Sequence, residues 1–235
     1  MLDAGKDMVG GSRVPAGVVR IAAPADFLDL FAMGWLVPFQ ERYPKVRLDF
    51  VLNDARADLI GEDIDVAFRG SADSDPRHAV WRLGTQSFRL VASPAYLARR
   101  GTPRMLADLE AHDYLTAGGR QDRTVWNLTG PQGAVEVKVL ARLSANSARA
   151  LLRCCVEGLG IALLPSLLIS ADYEARRLVQ VLPEYRREGV DFCVLLPSRQ
   201  QTPAAVSAFI DFAAAKIESM INRQQPRDWL RQATA

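Results

Sequence analysis

The chain has 235 residues, 49% of them hydrophobic and 24% charged, so it has the means to bury a sizeable core and is not a disordered segment. The formal charge is +2, and that excess sits in the tail Asn222–Ala235, where Arg223, Arg227 and Arg231 outnumber Asp228; the remaining 26 basic and 26 acidic groups balance, which excludes the clustered basic face of a nucleic-acid binder. No apolar run of about 18 residues exists, so no helical membrane span is expected, and the polar start MLDAGKDMVGGSRVPAG lacks the apolar segment of a secretory signal.

Residues 1–16 read as a linker or frayed end. Val18–Ala22 is a first strand, stopped by Pro24, with Asp26 at a helix N-cap position. Leu28, Phe31, Trp35, Phe39 and Tyr43 recur at helical spacing, interrupted at Pro38 and ended by Pro44. Val46–Leu52 is a second strand, Asn53-Asp54 turns into a short helix ended by Gly61, and Ile64–Phe68 is a third strand running into Arg69-Gly70. This strand–helix–strand–helix–strand plan predicts a parallel sheet, whose strand ends form a crevice for a small ligand. After the polar loop Ser71–Arg77, Val80–Ala92 reads as a hairpin or a bent pair of strands around Gly84. Helical turns follow at Pro94 and at Leu106–Ala111, then strands at Tyr114–Ala117, Val125–Thr129, Ala134–Val139 and Arg142–Ala145. Asn146-Ser147 caps a helix containing Leu151, Leu152, Cys155 and Val156 and ended by Gly158. Ile161–Leu164, Leu178–Leu182 and Val190–Leu196 are the remaining strands; helices lie near Pro165–Ser170 and after Pro203.

Catalytic constellations do not emerge. No nucleophile elbow or Walker loop is present, and the Gly158-x-Gly160 pair precedes a strand rather than opening a helix. His78 and His112 lack metal-ligand spacing, so no metal or cofactor is expected. Cys154, Cys155 and Cys193 are an odd count read as buried free thiols of a reducing compartment. What remains is a set of strand ends and helix starts that can converge on a ligand: Pro24, Ala25, Asp26 and Phe27; Asn53 and Asp54; Arg69 and Gly70; Gly118 and Gly119; Asn146 and Ser147. Free N–H groups at helix starts suit a polar ligand, although each of these residues can serve as a cap, a turn or a solvated side chain.

The phrases VRIAAP, PFQERYPKVRLDFVLND, DIDVAFRG, LVASPAYLARRGTP, EGLGIALLP and PSRQQTPAAVSAFIDF, in this order, resemble the effector-binding domain of LysR-type transcriptional regulators over about Gly17 to Ile221. The resemblance implies an α/β, two-lobed fold of the type-2 periplasmic-binding-protein kind with a ligand cleft between the lobes. Lobe I would hold 17–92 plus 194–221, lobe II 93–193, with a hinge near Ala92 and Val194 and a tail from 222 to 235. It also implies a small-molecule effector and a homodimer or higher homo-oligomer, the helix Leu28–Tyr43 meeting the partner's Ser147–Glu157. The family's winged helix-turn-helix would lie upstream; 16 residues are too few for it, so DNA is expected to be read only through a domain missing from this chain. Asp26 departs from the small or hydroxyl residue common in that region. A carboxylate there would satisfy its own helix start and disfavour an anionic effector unless Arg69 neutralises it. The expected protein is thus a cytoplasmic ligand sensor and not an enzyme. A solute-binding protein of a transport system, or a two-lobed transferase or dehydratase, would share the fold.

Overall fold

A strand buried on both faces has to be apolar on both, and β1 (Gly17–Ala23) meets that demand from Val19 onward with only Arg20 half-exposed. In the computed structural model, which describes residues 14–31, 33–53, 59, 61–70, 78–118, 123–197 and 202–223, β1 lies parallel to β2 (Val46–Leu52) and β3 (Val66–Arg69). Strand β3 then pairs antiparallel with β10 (Arg186–Pro197), which runs alongside β4 (His78–Ala92). The parallel plan expected for the first third of the chain is present. Asp54 and most of the short helix before Gly61 lie outside the described residues, as do Gly119 and Ser71–Arg77.

The second half of the sheet is built around β5 (Tyr114–Ala117), parallel to both β7 (Gly133–Ala145) and β8 (Ile161–Pro165). Strand β6 (Arg123–Gly130) forms a hairpin with β7, and β8 pairs with the far end of β4 at Phe88–Val91, where the short β9 (Val179–Gln180) also joins. The chain therefore passes from one lobe to the other along β4 and returns along β10. The hairpin or bent pair of strands expected at Val80–Ala92 is instead part of a single 15-residue strand. Gly84 does not turn the chain; it admits Ile221, whose Cγ2 would lie 2.8 Å from a Cβ placed there. Likewise Ala134–Val139 and Arg142–Ala145 are one strand, and only Val179–Gln180 of Leu178–Leu182 pairs.

Two families of helices cover the sheet. In lobe I, α1 (Phe27–Leu30), α2 (Leu36–Arg42) and α6 (Ala204–Arg223) bury Phe27, Phe31, Trp35, Phe39, Val206 and Phe209 against β1 and β3. The helix expected over Leu28–Tyr43, with a kink or restart at Pro38, breaks earlier, at Phe31, which is extended, and a 3-10 turn at Met33–Trp35 precedes α2. The cause is geometric. Aromatics four apart drift about 40° per step around a 3.6-residue helix, so a straight helix could not keep all four facing the sheet. The break resets the face. Pro38 causes no kink, because it falls in the first turn of α2, where no intrahelical N–H bond is lost. Leu28, expected on the buried face, is exposed; Phe27 takes its place.

In lobe II, α3 (Pro94–Arg100) and a 3-10 segment at Leu106–Ala111 cover one face, with Tyr96 and Leu109 buried. Helices α4 (Ala148–Val156) and α5 (Ser166–Glu174) cover the other with Leu151, Leu152, Leu168 and Ile169. Cys155 and Cys193 are buried, while Cys154 is only half-buried, since it sits at the margin of the buried face of α4. The Cys155 Sγ–H donates to the Val91 and Gly160 carbonyls at 3.3 and 3.4 Å, and burial pushes its pKa up to about 12, which removes it as a nucleophile.

The Gly158-x-Gly160 pair has a packing explanation. Gly158 closes α4 at φ +80°, its carbonyl accepting from Arg99 Nη2 at 2.7 Å. A Cβ at Gly160 would lie 2.5 Å from the Asp113 backbone oxygen, at the point where Ile161 N–H donates to that same oxygen. Gly160→Ala is expected to lower unfolding stability by about 1–3 kcal/mol in urea titrations, as overpacking does. Gly34→Ala, where nothing lies within 4 Å, serves as the near-neutral control.

Candidate functional site

Asp26 forms a buried polar bridge between the two lobes. Its place follows from its neighbour: Phe27 is fully buried, its ring centroid 4.7 Å from Phe68 and 5.3 Å from Phe31. Anchored this way, the Asp26 side chain is directed away from α1 and makes no cap bond to it. It reaches across to lobe II instead. Ser147 Oγ–H donates to Oδ1 at 2.8 Å, Ala148 N–H to Oδ2 at 2.6 Å and Arg149 N–H to Oδ1 at 3.0 Å. The expectation that Asp26 satisfies its own helix start is thus corrected. α1 is a single turn of four residues, whereas α4 offers two free N–H groups and a hydroxyl at one point. Only 6% of Asp26 is exposed, so its charge relies on those three donors.

A second polar contact runs beside the first. Arg149 Nη1 lies 2.6 Å from Asp29 Oδ1, both side chains about two-fifths exposed. The sequence reading missed both residues; an acid three positions after an N-cap acid does not by itself indicate a partner in another lobe.

The other expected site residues fall into two groups flanking this bridge. In lobe I, the Asn53 N–H donates to the Ala23 carbonyl at 2.9 Å, and Pro24 accepts from Phe27 N–H at 2.9 Å. Arg69 Nη1 donates to the Asn53 carbonyl at 3.2 Å, so Arg69 serves the end of β2 rather than Asp26. Gly70 is exposed beside it, and Ala25 is half-buried. Phe27 belongs to the aromatic core. In lobe II, Gly118 N–H donates to the Ala145 carbonyl at 3.3 Å, which places it next to Asn146. Ser147 caps α4 by accepting from Ala150 N–H at 3.2 Å while donating to Asp26.

Among the described residues, no group of three His, Cys, Asp or Glu side chains comes together to hold a metal. The arrangement offers hydrogen-bond donors, carbonyls and one bridging carboxylate, a set suited to binding and to holding two lobes in register. Asp26→Ala is expected to lower stability by about 3 kcal/mol, because the charge-assisted bonds to α4 are lost. Asp29→Ala, which breaks only the exposed ion pair, should cost under about 1 kcal/mol. Equal losses in chemical denaturation would refute the assignment of the bridge to Asp26.

A family model for the LysR substrate binding domain matches residues 12–218. The HTH-type transcriptional regulator DmlR of Escherichia coli is 32% identical over 201 residues, covering 85% of this chain and 65% of DmlR. The chain thus spans just under two thirds of that relative's length. Among solved structures, the CrgA regulatory domain of Neisseria meningitidis superposes with a TM-score of 0.76 at 26% identity, covering 86% of this chain and all of that one. The full-length virulence activator AphB of Vibrio cholerae superposes with a TM-score of 0.73 at 30% identity, covering 86% of this chain and 69% of its own. The two-lobed α/β architecture is accordingly that of LysR regulatory domains, and the chain belongs to the LysR substrate-binding domain family.

Proposed function

We propose that this chain is the small-molecule sensor of a cytoplasmic transcription regulator, with its effector held between the lobes at the strand ends and DNA contacted by another part of the regulator. The observation that carries the reading is the Asp26 carboxylate seated on the start of α4, a polar lock between two lobes joined by two strands. An effector that changes this contact changes the lobe angle. Its different affinity for the two arrangements then biases the attached assembly, typically by about 1–3 kcal/mol. No catalytic group is assigned. We place lobe I at 17–84 and 192–223 and lobe II at 85–191, with the hinge inside the crossing strands. Supporting this, β4 already pairs with β8 at Phe88, before Ala92, and β10 changes register at Arg187/Val190 and at Phe192/Cys193.

An anionic effector would have to displace Asp26 from the α4 donors, so the effector of this cleft is neutral or cationic. Acetate should give no saturable heat with the natural chain and should bind Asp26→Ser. Equal acetate affinity in the two would refute this selectivity. Solution scattering tests the sensing itself: a metabolite bound at the strand ends that leaves the lobe angle unchanged would sink the mechanism.

The assembled form pairs α1 and α2 with α4 of a second copy. Val37 is 61% exposed on α2 and Leu159 47% exposed just beyond α4, and such a pairing covers both. Sedimentation should find a dimer for the natural chain at micromolar concentration and a monomer for Val37→Glu. A monomeric natural chain would overturn the pairing.

A further inference from the structure

We infer that a second small-molecule site lies where β4 and β10 cross, and that it takes a carboxylate carrying an apolar body. It goes beyond the sensor reading, because binding there is asserted whatever the bound molecule controls. The crossing encloses a cavity of about 550 Å³, well within the range of ligand pockets. None of the strand-end residues described above lines it. Its floor is Thr85–Ser87 of β4 and the start of β10, and its roof is the start of α5 with Ile221 of α6. The room comes from a β-bulge: between the pairs Arg187↔Phe88 and Val190↔Gln86, β10 spends two residues, Glu188 and Gly189, against one on β4. Gly189 makes the bulge possible at φ +80°.

The lining sets the ligand chemistry. Gln86 is more than nine-tenths buried, it lines the cavity, and its amide nitrogen has no hydrogen-bond partner. A buried amide donor without an acceptor is costly, and a ligand oxygen would supply one. The neighbouring hydroxyls do not, since Ser166 Oγ lies 3.0 Å from Ser87 Oγ and 3.0 Å from the Ser87 carbonyl, to which it donates. Charge favours an anion. Arg186 is ion-paired with Glu188 at the half-exposed rim, and the buried Arg89 stands close enough for Arg186 to depress its pKa, after burial and against a smaller opposing pull from Glu188. Arg186 thus brings a guanidinium to the rim of the cavity, and Arg89, outside the lining, adds a second positive charge behind it. Pro165, Leu167 and Ile221 provide the apolar wall for the rest of the ligand.

The test is a titration of the isotope-labelled chain with benzoate, followed by nuclear magnetic resonance. Acetate, which lacks the apolar body, and benzylamine, which lacks the negative charge, are the comparison probes. Benzoate should saturate shifts of the Gln86 side-chain amide and of the Ser166 and Leu167 backbone amides, and Gln86→Leu should weaken it by about tenfold. The comparison probes should leave these signals in place. Absence of a saturable shift, unchanged affinity in Gln86→Leu, equal binding of benzylamine, or benzoate shifts confined to Gly118, Asn146 and Ser147 would each overturn the proposal. Should Gln86→Leu fail to fold, Leu167→Trp fills the same cavity and has to abolish the benzoate shifts. Scattering that stays unchanged with benzoate bound would count against sensing through this site while leaving the site itself standing, so the two readings fail separately.

Discussion

One carboxylate ties the two halves of this molecule together. A buried Asp without donors is unfavourable, and so is a helix start whose N–H groups lack acceptors. Asp26 and α4 each resolve the other's deficit, and they do so across the lobe boundary. When the lobes separate these groups pass to water, so closing the lobes exchanges that solvent for the Asp26–α4 bonds in a single event. The aromatic cluster makes the contact specific. Phe27, immobilised among Phe31, Phe68 and Phe192, fixes where residue 26 leaves the core and hence where its carboxylate meets the second lobe. Packing supplies the position and electrostatics supplies the attraction.

Much of lobe I was legible because its signals are local. Alternating Val46, Leu48 and Phe50, and the apolar runs ending at Pro24 and Arg69, report burial within a few residues, and the parallel pairing of β1 with its neighbours follows. The same local reasoning misread β4. A glycine within an apolar run suggests a turn or bulge, yet Gly84 is there to admit a side chain from α6, 137 positions further on. A strand of 15 residues is long because it serves two half-sheets in turn, and no short window of sequence records that.

Asp26 shows where legibility stops. Its residue type and place before a helix marked it as a cap, which it is. Nothing nearby indicated that the helix would be the one starting 122 positions later. Gln86 is a comparable case. A polar residue within a strand normally marks a solvated face, and only the bulge next to its partner Val190, together with α5 lying above, turns that position into a buried donor beside a cavity.

The strand ends and the strand crossing therefore differ in what the chain itself puts there. At the strand ends the protein supplies its own anion, so any ligand there has to coexist with Asp26 or displace it. At the strand crossing the protein leaves an amide donor unmatched, beside an arginine at the rim. A ligand that displaces Asp26 removes a contact between lobes, whereas one lodged between α5 and α6 adds contacts between them. By linkage, occupants of the two regions would then favour opposite arrangements and weaken each other's binding, even though neither touches the other.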